Sequence, residues 1–104
     1  MRVYRVVFAS TAVKDLDQIL TWLSAEAPPC VEPWFNDIQA KIDSLCHLPN
    51  RCRLAPENGR WGAEVIRQLL FAGYSSKYRI LFTVADDEVR ILNIRHGARR
   101  YLHE

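Results

Sequence analysis

The sequence contains no C-x-x-C pair and only three cysteines, Cys30, Cys46 and Cys52. An odd count without paired spacing argues against both a disulfide framework and a zinc knuckle, and fits reduced thiols in the cytoplasm. A metal held by Cys46, His47, Cys52 and a fourth ligand is outweighed by simple packing, so no metal and no cofactor are expected. No apolar run approaches the roughly 18 residues of a membrane-spanning helix. The opening MRVYRVVFAS lacks the apolar core of a signal peptide. Neither a membrane span nor export by such a signal is expected. Internal repeats and low-complexity segments are absent too.

Strong charge of one sign is also missing, since the formal net charge is +2. Its distribution is uneven. Residues 1–49 hold four Lys/Arg against six Asp/Glu (−2), and residues 50–104 hold ten against six (+4). A polyanion or an acidic partner would be drawn to the second half. What is present is the material of one domain, residues 1–104: 49% hydrophobic and 25% charged residues suit a single soluble core.

The run VYRVVF at 3–8 is β-branched and aromatic and reads as a strand, followed by helix N-cap candidates at Ala9-Ser10-Thr11. Ala12, Val13, Leu16, Ile19, Leu20 and Leu23 then recur at helical spacing, which predicts a one-faced helix. Glu26-Ala27-Pro28-Pro29 breaks it, because proline lacks the amide donor and restricts the residue before it. A second helix is marked by Val31, Phe35, Ile38, Ile42 and Leu45 and stops before Pro49-Asn50. Trp22 and Trp34 are expected to pack within this hairpin. The segment PNRCRLAPENGRWGA at 49–63 has no periodicity and reads as a long connector, functional or mobile.

Three strands are predicted beyond it, Glu64–Phe71, Lys77–Ala85 and Glu88–His96, with turns at Gly73-Tyr74-Ser75-Ser76 and Asp86-Asp87. In the second of these, alternation puts Tyr78, Ile80, Phe82 and Val84 on one face and Arg79, Leu81 and Thr83 on the other. In the last, Val89 and Ile91 fall on one face and Leu92 and Ile94 on the other, so it is apolar on both and expected to be central. The whole reads as α+β in the order β-α-α-β-β-β, a helical hairpin packed on a small, mostly antiparallel sheet.

That order, together with G-x-x-x-K-Y-R-I-L-F at 73–82 and V-x-I-L-x-I-x-H-G-A-R at 89–99, resembles the RelE/ParE superfamily of bacterial type II toxins. The resemblance spans nearly the whole chain, from VYRVVFASTAVKDLDQI at 3–19 to HGAR at 96–99. It implies a growth inhibitor silenced by a cognate antitoxin, with a homodimer or a toxin–antitoxin heterotetramer as the fitting assemblies. RelE-like members cut messenger RNA on the ribosome, and ParE-like members inhibit DNA gyrase. Fold alone does not choose between these.

Metal-free RNA cleavage needs a base for the 2′-OH, stabilisation of phosphate charge and an acid for the leaving oxygen. By position in the motif, Arg79 resembles the sheet arginine of the nucleases and Arg99 the arginine after their last strand. His96 would be the acid or base, and Tyr101 a stacking residue. Against this stands AEVIRQLLF, where the nucleases are rich in lysine and this chain offers only Arg67. H-G-A-R after a long central strand looks more like the ParE branch, and the reading leans that way, with the RelE-like endoribonuclease as the alternative. The plain alternatives are that Arg79 pairs with an acid such as Glu64 or Glu88, that His96 only ends a strand, and that the tail frays.

For the partner, the face of the sheet away from the helices and a strand edge are expected to be open, inviting an antitoxin strand or helix. Leu69, Phe71, Leu81 and Leu92 are candidates for that groove. Trp61, Arg67, Arg95 and Arg100 complete the expected contact set, with acidic antitoxin residues neutralising Arg79, Arg95 and Arg99.

Overall fold

A computed structural model describes residues 3–60, 62, 64–73 and 76–96. The elements run β1 (Arg5–Phe8), α1 (Ser10–Glu26), α2 (Val31–Asp43), β2 (Arg67–Gly73), β3 (Ser76–Ala85) and β4 (Glu88–His96), which is the α+β order expected. β1 starts at Arg5, because the Tyr4 amide donates instead to the Cys46 carbonyl after α2 (2.8 Å). β2 begins at Arg67, three residues later than the predicted Glu64, so Glu64–Ile66 belong to the connector.

None of the three N-cap candidates caps α1 with its side chain. Ala9 occupies the cap, and the Thr11 hydroxyl donates across to the Leu92 carbonyl of β4 (2.6 Å), tying the first helical turn to the sheet. α1 buries Ala12 and Leu23 and leaves Val13 and Trp22 about half exposed, so Val13 departs from the stripe its spacing suggested and Trp22 is not packed away in the hairpin as expected. Pro28–Cys30 form a 3-10 turn that reverses the chain into α2. α2 buries Trp34, Ile38 and Ile42, and Leu45 follows in a further 3-10 turn.

The sheet order is β1-β4-β3-β2, with β1 parallel to β4 and the other pairs antiparallel. β4 and β3 are interior strands, as the two-faced apolar pattern of β4 requires. The helices cover one face. There Trp34, Ile38 and Ile42 meet Phe71, Tyr78, Ile80, Phe82, Val89, Ile91 and Ile94 in the main core. The Trp34 ring stands edge-on to Phe71 and Tyr78, with centroids 5.8 and 5.5 Å away, an arrangement favoured by the ring quadrupoles.

One expectation about β4 is corrected. Ile94 belongs to the helix-side core and not to the face of Leu92. The register explains it: Leu81 is opposite Asn93 while Phe82 is opposite Ile91, leaving Leu92 as an extra residue. Such a bulge shifts the alternation by one from that point on. Beyond the end of β1, two side chains of α1 satisfy the groups around the bulge. Thr11 takes the Leu92 carbonyl, and Asp15 Oδ2 accepts from the Ile94 amide (2.9 Å) and from Asn93 Nδ2 (3.0 Å). Among the described residues no helix is long and apolar enough to cross a membrane.

Candidate functional site: the outer face of the sheet

The face away from the helices is not open. After a 3-10 turn at Pro49–Arg51, residues 52–60 and 64–66 fold over it: Leu54 bridges Arg67 in antiparallel fashion, and residues 56–60 turn back. Ala55 and Ile66 from this segment pack with Leu81, and Leu92 lies against them. Of the four expected groove residues, Leu81 and Leu92 are therefore on this face but covered by the chain's own connector. The other two, Leu69 and Phe71, are corrected. They stand opposite Ile80 and Tyr78 and so point to the helices, where Phe71 is buried and Leu69 packs at the margin of the core.

Beneath the connector lies a buried ion pair. Arg79 Nη2 donates to Glu57 Oε2 at 2.7 Å, and Arg79 Nη1 donates to Glu57 Oε1 at 3.0 Å and to Gln68 Oε1 at 3.2 Å. Arg79 is 4% exposed and Glu57 3%. The acid that neutralises Arg79 is thus Glu57, neither Glu64 nor Glu88. Glu88 serves Arg5 and Arg90 at the surface (3.0 and 3.1 Å). Burial pushes the Glu57 carboxyl up, but hydrogen bonds from Arg79 and the backbone, with the charges of Arg79 and Arg95, outweigh it and hold the carboxyl below the ordinary glutamate value.

Arg95 stands directly across from Arg79 on β4, and Leu70 across from it on β2, so the three form one row on the outer face. Arg67 is turned to the connector, its Nη1 donating to the Cys52 carbonyl (2.7 Å). Beside it the Cys52 thiol is pushed up by burial, despite the opposing charges of Arg51 and Arg67, which keeps it a packing group. His96 lies on the opposite face. It is paired across the strands with Tyr78 and stands edge-on to that ring at 5.3 Å. Arg79 and His96 therefore do not converge on one point. Trp61, Arg99, Arg100 and Tyr101 fall outside the described residues.

Among the described residues the outer edge of β2 is covered at its start alone. There the Ala55 amide donates to the Ile66 carbonyl and the Gln68 amide to the Arg53 carbonyl (2.8 and 3.0 Å). From Leu69 to Gly73 no strand pairs with that edge among the described residues. Leu70 is 49% exposed beside it. The residue missed in reading the sequence is Glu57, which sits in a polar turn with no local pattern to mark it. The only available signal was indirect: an arginine on an interior strand needs a buried acid.

The described fold, with its connector closed over a β-α-α-β-β-β core, matches a known family. A family model for the ParE toxin of the type II toxin–antitoxin system parDE aligns with residues 6–101. The chain belongs to the ParE toxin family. Among solved structures, a chain of the chromosomal ParDE TA system from P. aeruginosa has the same fold, with a TM-score of 0.70 and 20% identity over 90% of this chain and 96% of that one. A comparison with curated proteins gives no match. The ParE lean taken from H-G-A-R and from the missing lysines agrees with the family model.

Proposed function

We propose that this ParE family chain arrests growth by binding DNA gyrase in the cytoplasm, and that a cognate antitoxin silences it. Family membership supports the antitoxin and the target class. The observation that favours binding over RNA cleavage is the state of Arg79. A guanidinium that stabilises a phosphate must present its N–H fork to the substrate. In this chain both terminal nitrogens are taken by Glu57, beneath a connector that leaves Arg79 4% exposed. His96, the candidate base, is on the other face of the sheet.

Two assays on one preparation test the reading. Purified toxin should block gyrase supercoiling and leave translated messages uncut, and adding the product of the neighbouring gene should restore supercoiling. Codon-positioned cuts without gyrase inhibition would replace this reading with the RelE-like nuclease, and Arg79, Arg99 and Tyr101 would then be the residues to substitute. A toxin–antitoxin heterotetramer is the assembly to look for by light scattering of the mixed pair.

A further inference from the structure

The buried ion pair has unequal halves. Its cationic half is set on the two interior strands, where Arg79 and Arg95 face each other across the ladder and Gln68 adds an acceptor from β2. Like charges directly opposite on a sheet are unfavourable without an anion between them. The anionic half comes from a surface turn. Around Glu57 the fixing contacts are the Asn58 amide to the Ala55 carbonyl, the Arg60 amide to the Glu57 carbonyl, and the Ile66 amide to Asn58 Oδ1 (3.0, 3.0 and 2.9 Å). Gly59, two residues on, has φ +86, a conformation glycine adopts readily.

Around this pair the surface has a definite character. Leu70 is about half exposed. It is the cross-strand neighbour of Arg79 and stands with it on the outer face. Arg51, Arg53, Arg60 and Lys77 are exposed on the connector and on β3. Beyond Gln68 the edge of β2, unpaired among the described residues, offers backbone groups to an added strand. An extended acidic peptide with apolar neighbours to its carboxylate matches all of these. A second copy would set basic residues against basic residues, and a nucleic-acid backbone would leave Leu70 without an apolar partner.

We propose that Glu57 is an internal stand-in for a partner's carboxylate. The site of Arg79, Arg95 and Gln68 receives an acidic side chain from an extended partner segment, which exchanges with Glu57 and continues along β2 over Leu70. Exchanging one carboxylate for another keeps the guanidinium neutralised in both states, so the large penalty of leaving a buried charge alone is avoided. The bias between the closed and exchanged forms is then set by the smaller contacts of the turn and the peptide. The proposal rests on the chain's having an antitoxin partner and specifies the chemistry by which that partner docks.

The test uses full-length chain and small anions, so its result does not depend on the gyrase assay. Thermal midpoints of wild type, Glu57→Ala and Glu57→Ala with Arg79→Met are measured at pH 7 in sodium acetate, in phosphate and in chloride of equal ionic strength. Acetate is expected to raise the midpoint of Glu57→Ala by several degrees along a saturating curve, and to do nothing specific to the other two. A rise with phosphate alone would assign the site to a nucleic-acid backbone and overturn the proposal, as would no rise or an equal rise in all three. Should Glu57→Ala not fold, the Arg79 side-chain NMR signals of Glu57→Gln are followed instead, and must shift saturably with acetate while those of wild type do not. A capped Val-Glu-Val tripeptide should bind the variant at least tenfold tighter than acetate, and a capped Val-Gln-Val should not. Equal affinity of the two peptides, or of Val-Glu-Val and acetate, would overturn docking along β2.

Discussion

Trp34 and Gly73 are in direct contact: the Nε1 and Cδ1 edge of the indole lies where a Cβ on residue 73 would stand, well inside contact distance. The indole is 3% exposed and held between Phe71 and Tyr78, so it has no room to withdraw. Gly73→Ala is therefore expected to destabilise the fold by about 1–3 kcal/mol, the usual range for overpacking a core. Phe at position 34 removes the colliding edge and also the indole N–H, which is buried without a hydrogen-bond partner among the described residues. A double-mutant cycle of Gly73→Ala with Trp34→Phe, read by urea unfolding, should show a favourable coupling. Additive losses would mean that the contact does not set the requirement for glycine.

The Arg79–Glu57 pair predicts an asymmetry between single and double substitutions. Arg79→Met leaves a carboxylate buried beneath the connector and is expected to cost about 3–5 kcal/mol. Arg79→Met combined with Glu57→Leu removes both charges and should recover most of that loss, because a buried pair often contributes little net stability over an apolar replacement. Chemical denaturation of the three variants checks it. A double variant as unstable as the single would show that other contacts of these side chains carry the energy.

How much of this was legible in the sequence divides along a physical line. Helical spacing identified both helices, because one buried stripe with a period of 3.6 leaves a mark in the sequence. β4 was bounded correctly and placed in the interior because an interior strand is apolar on both faces. The same property hid the errors. In β2 the apolar residues Leu69, Leu70 and Phe71 are contiguous, so the sequence does not say which of them faces the helices. Only pairing with Ile80 and Tyr78 decides it. Ile94 was misplaced because a bulge at Leu92 is a property of two strands together. Glu57 was invisible for a related reason: its partner is 22 positions away, and a turn glutamate ordinarily faces water.

The lowered Glu57 carboxyl gives a pH dependence with a defined sign. A group whose folded value lies below its unfolded one, about 4.3 for glutamate, contributes stability that is present above the unfolded value and lost as pH falls through the folded one. Wild-type stability should therefore drop on acidification below about pH 4.5, more steeply than that of Glu57→Gln, which has no proton to take up there. Glu88, lowered by hydrogen bonds from Arg5 and Arg90, titrates in both proteins and cancels in the comparison. Parallel curves from urea melts between pH 3 and 7 would remove Glu57 as the source.

Asp15 supplies the last test, because it links helix α1 to the bulge in β4. Its Oδ2 accepts from the Ile94 amide and from Asn93 Nδ2 at once (2.9 and 3.0 Å), past the point where β1 ends and stops pairing with β4. Asp15→Ala leaves two donors without their acceptor in a partly buried place and should cost about 1–3 kcal/mol. The effect should be local as well as global. Amide exchange at Ile94 is expected to quicken relative to Val89 and Ile91, whose stretch of β4 keeps its pairing with β1. Asp15→Asn keeps one acceptor oxygen and should retain much of the protection. If Asp15→Ala left Ile94 exchange unchanged relative to Val89, β3 pairing and core packing alone would be sufficient to hold the bulge, and Asp15 would be only a surface charge on α1.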